Sequence, residues 1–586
     1  MTERGVQGPS RRMVVLGALG GGSLGMALGQ SVLGRSEPPS GGTKTLPVGM
    51  NLAGIADWSR GFPFLNLMWG ARIWATNNAN IEGPWNTEMT RFLELDDDGY
   101  PLEVPFRPPA AQDDQHVFTV LPNRVKAGRY VMLYDGEGDI ATAGMTKIID
   151  AKPGRIEISM EHGGSDDHLE TITISRSVRG NHIRNIRIVP IEHEKTDLDA
   201  NPFRSDILEF CKPWHCLRFM DWMSTNYAID RRWADRKKRS FYTQIGVGAG
   251  VDGLPEGEQW KQKWSSGIAI ELCIQLANMT RTNAWLCVPH LADDEYIAEM
   301  ARLVKETLDP SLKVYLEFSN EVWNWSFAQA QWALRSELAG DLVTAVGDPP
   351  PWAGRVKPSS FKDGVVVEGA GEGADHVVRL AALMRRCFKI WEDVFTGTDR
   401  KRLVRVCGVQ GDWIENSTIS LDWVMKHGGC DALSPGGYFG PDDDLYKVWD
   451  AKGAALTVSD VISDMRRVIV NNQKFVRSFA QLARRYRLQL IVYEGGQHLQ
   501  PEGQAEKPYN PALAKVQKHP EMYDLYRQHL DVYANARCNL FCAFSSVTIQ
   551  GSRYGSWGHV EHYGQDPADM PKYRAILEAN SAPTKG

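Results

Sequence analysis

The chain has 586 residues and a formal net charge of −6, from 66 Lys and Arg against 72 Asp and Glu. This balance argues against nucleic acid and against an anionic membrane surface as partners. The length exceeds what one small core needs and predicts at least two domains. The 19 Trp residues suit stacking on apolar ring faces, although large cores and interfaces also consume Trp.

The first 45 residues have the composition of a targeting segment followed by a linker. Arg11 and Arg12 precede a Gly-rich apolar run at 13–28 that is short for a membrane span. A twin arginine before a weakly apolar run is typical of a Tat signal, so residues 1–29 are predicted to be a signal peptide. The mature chain is then expected in the periplasm or secreted, with no membrane association, and residues 30–45 form a linker. The alternative is an uncleaved anchor.

Residues 46–75 are predicted to form a first strand and a helix, because apolar residues in "FPFLNLMWGARIW" (62–74) recur at helical spacing. Between residues 76 and 195 the pattern changes to short alternating runs cut by Gly, Asn, Asp and Pro, as in "LETITISRSVRGNHIRNIRIVP". Such runs predict an antiparallel β-sandwich, inserted after the first strand and helix.

From residue 196 to 586, apolar strands alternate with amphipathic helices, which predicts a parallel sheet. With the first strand there are eight, near residues 50, 217, 286, 316, 406, 432, 491 and 542. Eight parallel strands close a (β/α)8 TIM barrel, and this α/β fold is our prediction. A doubly wound open sheet is the alternative, but no Gly-rich phosphate turn follows the first strand.

Three local features qualify this pattern. Asn471 and Asn472 are a candidate break in the helical stretch at 458–486. Residues 340–373 and 230–264 are predicted as loops, and the second follows a strand, so it is expected to form a wall or lid at the active face of a barrel. Its basic cluster "DRRWADRKKR" is interpreted as a solvated face rather than an anion site.

The nine Cys residues contain no CxxC spacing and lie mostly in apolar runs, so we expect mainly buried free thiols. A bridge between Cys211 and Cys216, or between Cys538 and Cys542, stays open as an alternative after export. The sequence has no zinc-type Cys/His cluster and no P-loop, and beyond the predicted signal peptide it has no GxSxG. No metal and no organic cofactor are expected.

Two glutamates end apolar strands, Glu321 in "VYLEFSNE" and Glu494 in "LIVYEGG". A single Glu there is commonly a solvated strand end, but the ends of barrel strands converge at one rim. Two carboxylates facing each other across roughly 5 to 9 Å are what glycoside cleavage requires, one to protonate the leaving oxygen and one to attack or to activate water. Glu317, inside the same strand as Glu321, is interpreted as an ordinary strand residue.

The Asn-Glu that ends the fourth strand and the Glu that ends the seventh resemble clan A glycoside hydrolases, which are retaining (β/α)8 enzymes. The segments "SNEVWNW", "VYEGGQHL" and "LRFMDW" are similar to sequences of a bacterial family of clan A-like proteins. That family is often labelled cellulose-binding or glycosidase-like. The resemblance covers residues 46–575, interrupted by the predicted sandwich.

The resemblance implies a role for each matching residue. Glu321 would be the general acid/base and Glu494 the nucleophile, with Asn320 holding the sugar 2-hydroxyl. Tyr438 would donate to Glu494, and Arg218 would lie beneath it. Both contacts would lower the pKa of Glu494 and keep it ionised, while Glu321 is protonated.

Further residues at the predicted rim are candidates for sugar binding, each with turn capping or packing as the alternative. They are His290, Trp557, Trp323, Trp325, Trp58, Asp221, Asp57, Trp222, Gln410 and Asp412. For Asp412 the structural role is preferred.

Together these features predict an exported retaining glycoside hydrolase that cleaves a polysaccharide or oligosaccharide, with a β-linked glucan as the expected substrate. The alternative is a non-catalytic carbohydrate-binding or exopolysaccharide-assembly protein on the same fold. The paired glutamates argue against a pure binder, which has no need of them. The sandwich either supports the barrel or binds sugar itself.

Overall fold

A computed structural model describes residues 45–580, apart from 110, 123, 162–168, 247–256, 346–360, 363–364 and 367–372. The predicted signal peptide and nearly all of the linker lie outside the described residues, as do parts of both predicted loops. No helix within the described part of the chain is long and apolar enough to cross a membrane.

The chain begins its core with a short strand, β1 (Val48–Asn51), in which all four residues are buried. Gly49 is required there, because a Cβ at this position would lie 2.6 Å from Cys542 Sγ and 3.0 Å from the Cys216 carbonyl oxygen. The two strands that carry these cysteines pair with β1 on either side. The first strand of the predicted barrel is confirmed.

The segment that follows β1 is not the α-helix that its apolar spacing predicted. It contains a single 3₁₀ turn at Leu67–Gly70, and residues 61–71 are all buried. Pro63 lacks a backbone N–H, and Gly70 approaches Phe62 so closely that a Cβ would lie 2.4 Å from the ring. The helix prediction is wrong, because this segment is buried on every side. Its apolar residues recur at helical spacing without marking one face of a helix.

Eight strands between residues 75 and 190 form two antiparallel sheets of four. They are β2 (Ala75–Asn78), β3 (Gln115–Leu121), β4 (Gly128–Asp135), β5 (Gly138–Ala143), β6 (Thr146–Lys152), β7 (Arg155–Met160), β8 (Glu170–Ser177) and β9 (Arg184–Pro190). Their order is β2-β3-β8-β5 in one sheet and β6-β7-β4-β9 in the other. The antiparallel pairing agrees with an insertion at this point, whereas the packing as a sandwich and the domain boundaries stay predictions.

From residue 205 onward helices and strands alternate. They are α1 (Ser205–Cys211), β10 (Cys216–Arg218), α2 (Glu258–Ser265), α3 (Ile270–Thr280), β11 (Asn283–Val288), α4 (Asp294–Thr307), β12 (Val314–Phe318), α5 (Ala328–Arg335), α6 (Glu337–Ala345), β13 (Phe361–Lys362), β14 (Val365–Val366), α7 (Gly373–Val394), β15 (Leu403–Val409), α8 (Ile414–Lys426), β16 (Ala432–Pro435), β17 (Gly437–Phe439), α9 (Asp443–Lys452), α10 (Val458–Tyr486), β18 (Gln489–Gln497), α11 (Asn510–Val516), α12 (Glu521–Asn535), β19 (Leu540–Ala543) and α13 (Pro571–Ala579).

The parallel strands close into a barrel. Pairing runs β1-β10-β11-β12-β15-β16-β18-β19 and returns to β1. Each of the eight lies where the sequence predicted a strand, so the (β/α)8 TIM barrel is confirmed and the open-sheet alternative is wrong. The short β17 pairs in parallel with the end of β18, which places its residues at the carboxyl rim.

The helix α10 continues through the asparagines that were suggested to break it. It begins with a capping box between Thr457 and Asp460, and its apolar stripe continues past the pair to Val476 and Phe479. Asn472 Nδ2 donates to the Tyr438 carbonyl oxygen at 3.2 Å, so the amide ties the helix to β17. The suggested break is wrong.

All nine cysteines are free and buried, as the sequence predicted, and neither of the two bridges left open forms. Cys216, Cys287 and Cys542 belong to the cluster inside the barrel, where Trp285 stacks on Tyr315 with ring centroids 5.4 Å apart.

Candidate active site

Glu321 and Glu494 lie side by side at the carboxyl end of the barrel. Glu494 lies within β18 and is only 5% exposed. Glu321 follows β12 by three residues, with its backbone at φ 42°, a left-handed conformation that non-glycine residues seldom adopt. The two carboxyl groups are close enough for each to shift the pKa of the other. Strands four and seven therefore bring together the two carboxyl groups that the sequence singled out.

Two side chains hold Glu321 in place. Tyr493 Oη donates to Glu321 Oε1 at 3.1 Å, and Asn324 Nδ2 donates to Oε2 at 2.9 Å. Neither was identified from the sequence. Tyr493 directly precedes Glu494, so β18 presents a carboxyl group and a phenol to the same site.

Arg218 is the fully buried cation beneath the pair. Its Nη1 donates to Glu494 Oε2 at 3.0 Å and to Asn51 Oδ1 at 3.0 Å, while Nη2 donates to Asn320 Oδ1 at 2.7 Å. A guanidinium presents several donors in a fixed plane. The single side chain therefore sets the relative positions of groups from the first, fourth and seventh barrel strands.

Glu317 is not the ordinary strand residue that we expected. Its carboxylate is buried and accepts from Arg218 Nε at 3.0 Å, from Arg218 Nη2 at 2.8 Å and from Trp285 Nε1 at 2.7 Å. A buried carboxylate is tolerated when it is paired and hydrogen-bonded. An acid within the otherwise apolar run "VYLEF" was the available signal for this role.

Burial raises the pKa of both carboxyl groups of the pair. For Glu494 the charge of Glu321 adds to burial, and the pKa lies well above its ordinary value. Arg218 and a hydrogen bond from Tyr438 lower it, as expected, but burial and the charges of Glu321 and Asp221 outweigh them. The pKa of Glu494 is therefore raised overall in the ligand-free molecule. Two carboxyl groups this close do not ionise independently.

An aromatic wall lies on the Glu494 side of the pair. The Tyr438 ring meets those of Trp557, His498 and Phe544 edge to face, at centroid distances of 5.9, 5.5 and 6.2 Å. Burial lowers the pKa of His498 to about 4, so this ring is neutral. The structure thus places the predicted Tyr438 and Trp557 together, and adds two partners that sequence analysis missed.

Asn320 is held by its neighbours. Its Nδ2 donates to Asn226 Oδ1 at 3.0 Å, and the same oxygen accepts from Gln329 Nε2 at 2.7 Å. Since a side-chain amide has two N–H groups, one of them is left for a ligand once the bonds within the described part of the chain are counted. Asn226 and Gln329 gave no signal in the sequence.

His290 and Asp221 lie near this network. His290 is buried two residues after β11, and its Nδ1 has no hydrogen-bond partner among the described residues. Burial lowers the pKa of His290 to about 4, which makes it neutral. Asp221 is partly exposed and near enough to Arg218 and Glu494 for their charges to interact. Burial raises the pKa of Asp221 to about 6.

Two of the predicted rim residues have structural roles instead. Asp57 is buried and accepts two hydrogen bonds from Arg72, at 2.7 and 2.8 Å. Trp222 is buried and packs against Phe64 with ring centroids 6.1 Å apart. The ion pair of Asp57 and the packing of Trp222 agree with the capping and packing alternatives, and a role in sugar binding stays a prediction for both. Trp58, by contrast, is 51% exposed, with Arg72 lying over its ring.

The remaining candidates lie near the fifth barrel strand. Trp323, Trp325 and Gln410 line an open cleft between α7 and α8. Asp412 is exposed in the turn before α8, in line with the structural role preferred for it.

The basic cluster at 230–239 is not uniformly solvated. Lys237 is buried, and its Nζ donates to the carbonyl oxygens of Ile245 at 2.9 Å and Ser266 at 2.6 Å. Burial lowers the pKa of Lys237 to about 7. This ammonium therefore secures the loop internally.

Within the described residues, no group of three or more His, Cys, Asp or Glu side chains is arranged to hold a metal ion.

Neither a protein-family model nor a curated protein matches the sequence. Solved structures similar to the chain include a glycoside hydrolase family 5 xyloglucanase from Bacteroides ovatus, at 12% identity and a TM-score of 0.31, over 79% of this chain and 99% of that one. A family 5 mannosidase from Rhizomucor miehei has 11% identity and a TM-score of 0.26, over 53% and 88%.

An endo-1,4-β-D-mannanase from Thermotoga petrophila has 9% identity and a TM-score of 0.26, over 62% of this chain and 98% of that one. Likenesses this weak carry no argument about the fold or the activity. The fold rests on the strand pairing described above, and any activity has to be argued from the side-chain geometry.

Proposed function

We propose that this protein is a retaining glycoside hydrolase that cleaves a polysaccharide or oligosaccharide at Glu321 and Glu494. The observation that supports this most is the placement of two interacting carboxyl groups at the ends of the fourth and seventh barrel strands, with Glu494 held by a buried Arg218. Inverting enzymes keep their carboxyl groups roughly 6.5–9.5 Å apart to admit a water molecule, whereas retaining enzymes need about 5–5.5 Å. Two carboxyl groups near enough to shift each other's pKa support the shorter, retaining geometry.

In the first step a carboxylate oxygen of Glu494 attacks the anomeric carbon and forms an ester bond. The glycosidic C–O bond breaks, and the proton of Glu321 passes to the departing oxygen. Burial raises the pKa of both carboxyl groups, which favours retention of the one proton that this step requires. A sugar ring between the carboxyl groups separates them, and Arg218 and Tyr438 then favour the charge on Glu494.

In the second step Glu321, now ionised, takes a proton from water as the water oxygen attacks the anomeric carbon. The ester C–O bond breaks, Glu494 returns as carboxylate, and Glu321 is protonated again. Both displacements invert the anomeric carbon, so the net result is retention.

The finer parts of the proposal rest on the sequence. A β-linked glucan is the proposed substrate class, because of the resemblance carried by Asn320, Glu321 and Glu494.

Export through a Tat-type signal rests on Arg11 and Arg12. Replacing both arginines by lysine should stop export while the cytoplasmic protein keeps its activity. Export that continues unchanged would contradict the proposed Tat-type signal.

Activity is tested with Glu321→Gln and Glu494→Gln, using Glu415→Gln as the control because Glu415 is exposed on α8. Each site variant should abolish cleavage of β-glucans, xylans or bacterial exopolysaccharides while its circular dichroism spectrum is unchanged. NMR of the first product should show the anomeric configuration of the substrate. Hydrolysis that survives in either site variant, or an inverted product, would contradict the proposal.

A further inference from the structure

Tyr493 is a buried phenol inside the barrel, and the sequence resemblance gives it no role. It is 1% exposed and belongs to the interior cluster that contains Trp285 and Tyr315. Asn51 Nδ2 donates to the Tyr493 carbonyl oxygen at 3.0 Å. A Cβ at Gly436 would lie 3.1 Å from Tyr493 Oη, so the glycine leaves the room that the hydroxyl needs. The backbone and the tip of this side chain are therefore both held in place.

The hydroxyl of Tyr493 is one of two donors that serve the proposed acid. Tyr493 Oη donates to Glu321 Oε1 at 3.1 Å, and Asn324 Nδ2 donates to Oε2 at 2.9 Å. The Asn324 oxygen accepts from Ser326 N at 3.2 Å, so the amide nitrogen is the end that faces the carboxyl group. Each carboxyl oxygen has two lone pairs. One lone pair on each therefore remains, after these two bonds, for a proton or a substrate.

Both donors keep their protons at neutral pH. Burial, together with the charges of Glu321 and Glu494, raises the pKa of Tyr493 well above its ordinary value, and an amide does not titrate in this range. Hydrogen bonds of this kind favour the ionised form of a carboxyl group. Burial raises the pKa of Glu321, and the bonds from Asn324 and Tyr493 act against it. The two donors therefore bind the carboxylate more strongly than the protonated acid.

We propose that Tyr493 and Asn324 are positioning residues that speed departure of the leaving group by stabilising the negative charge that develops on Glu321. This inference rests on the proposed function. When the O–H bond of Glu321 breaks, its proton passes to the departing oxygen and its electron pair stays on the carboxylate. Hydrogen bonds that strengthen as this charge develops lower the barrier of the step. The gain is large for a sugar hydroxyl, which departs only when it is protonated, and small for an acidic phenol.

The test compares Tyr493→Phe and Asn324→Ala with Tyr315→Phe as the control. Tyr315 lies in the same interior cluster, and its hydroxyl contacts no carboxyl group within the described part of the chain. The readout is kcat/KM for a β-glucan oligosaccharide divided by kcat/KM for the dinitrophenyl glycoside of the same sugar. We expect this ratio to fall about tenfold in Tyr493→Phe and in Asn324→Ala, which corresponds to about 1.4 kcal/mol. It should stay unchanged in Tyr315→Phe.

The pH dependence gives a second readout. Losing the hydrogen bond from Tyr493 raises the pKa of Glu321, so the acid stays protonated to higher pH. The basic limb of kcat/KM for the oligosaccharide should therefore move to higher pH in Tyr493→Phe. Asn324 is partly exposed in the turn after β12, so Asn324→Ala decides the matter if Tyr493→Phe does not fold.

A merely structural role would lower both kcat/KM values together, and an unchanged ratio in the folded variants overturns the proposal. A basic limb that stays in place also overturns it. The pKa of Glu321 separates this proposal from the hydrolase itself. It is followed by NMR of protein labelled with ¹³C at the glutamate carboxyl carbons, with Glu321→Gln to assign the signal. A pKa that rises in Tyr493→Phe supports the proposal even if the tested glycans are not cleaved, whereas equal values in variant and wild type overturn it.

Discussion

Arg218 Nη1 lies 3.0 Å from Glu494 Oε2, and Nη2 of the same guanidinium lies 2.8 Å from Glu317 Oε2. One buried cation thus faces two buried carboxylates. Removing one member of such a group leaves an uncompensated charge in the interior. This destabilises the fold more than replacing the whole group by apolar residues. In our proposal Glu317 positions the guanidinium, and Glu494 reacts.

Glu317→Gln should destabilise the protein by about 3–5 kcal/mol, because Arg218 loses its principal counter-ion inside the barrel. Urea-induced unfolding followed by tryptophan fluorescence measures the change. Glu415→Gln, at an exposed position on α8, is the matched control and should leave the midpoint unchanged. An unaltered unfolding midpoint in Glu317→Gln would show that this ion pair does not hold the site together.

Glu321→Gln should shift the acidic limb of the pH–rate profile to lower pH. The charge of Glu321 raises the pKa of Glu494, so a neutral amide lets that pKa fall and Glu494 ionises at lower pH. The measurement uses formation of the glycosyl-enzyme from an aryl glycoside with a good leaving group, which needs little help from an acid. An acidic limb that does not move would indicate that the two carboxyl groups are not coupled.

Tyr438→Phe should shift the acidic limb of the pH–rate profile to higher pH. The hydrogen bond from Tyr438 lowers the pKa of Glu494, so its loss raises that pKa and delays ionisation to higher pH. The aromatic contacts with Trp557 and Phe544 persist in the variant, which isolates the hydroxyl. A shift to lower pH, or none, would contradict the assigned hydrogen bond.

Lys572→Met should loosen the segment that carries Trp557. Lys572 is fully buried in α13, and its Nζ donates to the Ser556 carbonyl oxygen at 2.6 Å and to two glutamine side chains. Methionine fills similar space but leaves these acceptors unpaired. Unpaired buried acceptors lower the free energy of unfolding by roughly 1–3 kcal/mol. We expect a lower Tm and a KM that rises more than kcat falls. The exposed Lys401→Met is the control, and an unchanged Tm in Lys572→Met would contradict the prediction.

His529→Gln should make the free energy of unfolding depend less steeply on pH under acidic conditions. Burial lowers the pKa of His529 to about 4, and its ring is hydrogen-bonded to the Gly437 oxygen at 2.8 Å. Below about 6.5 the unfolded chain binds a proton that the folded chain does not. The stabilisation is therefore complete above that pH and is lost as the pH falls towards 4, by about 1.4 kcal/mol per pH unit.

The free energy of unfolding, measured in urea at several pH values, tests this slope. The variant should be less steep by about 1.4 kcal/mol per unit between pH 6.5 and 4. His562→Gln, at an exposed position, is the control. Equal slopes in His529→Gln and the wild type would show that His529 is protonated in the folded state.

Much of the fold was predictable because its signals are local. Each barrel strand is a short apolar run between amphipathic helices, and the strand at 314–318 needs only its own residues to be recognised. The same local logic failed at 62–74, where every side is buried and apolar spacing no longer reports a helix face. At Asp57 and Trp222 it could not choose between a sugar contact and a structural role, because a position after a strand does not say which way the side chain turns.

By itself, the sequence determined the number and order of the barrel strands and singled out the glutamates near the carboxyl ends of the fourth and seventh. Only the tertiary structure decided that Glu317 turns inward as the counter-ion of Arg218, and that the pKa of Glu494 rises rather than falls. Burial and charge depend on neighbours that are far apart in the chain. Arg218 and Glu494 are separated by 276 positions, and closure of the barrel brings them to 3.0 Å.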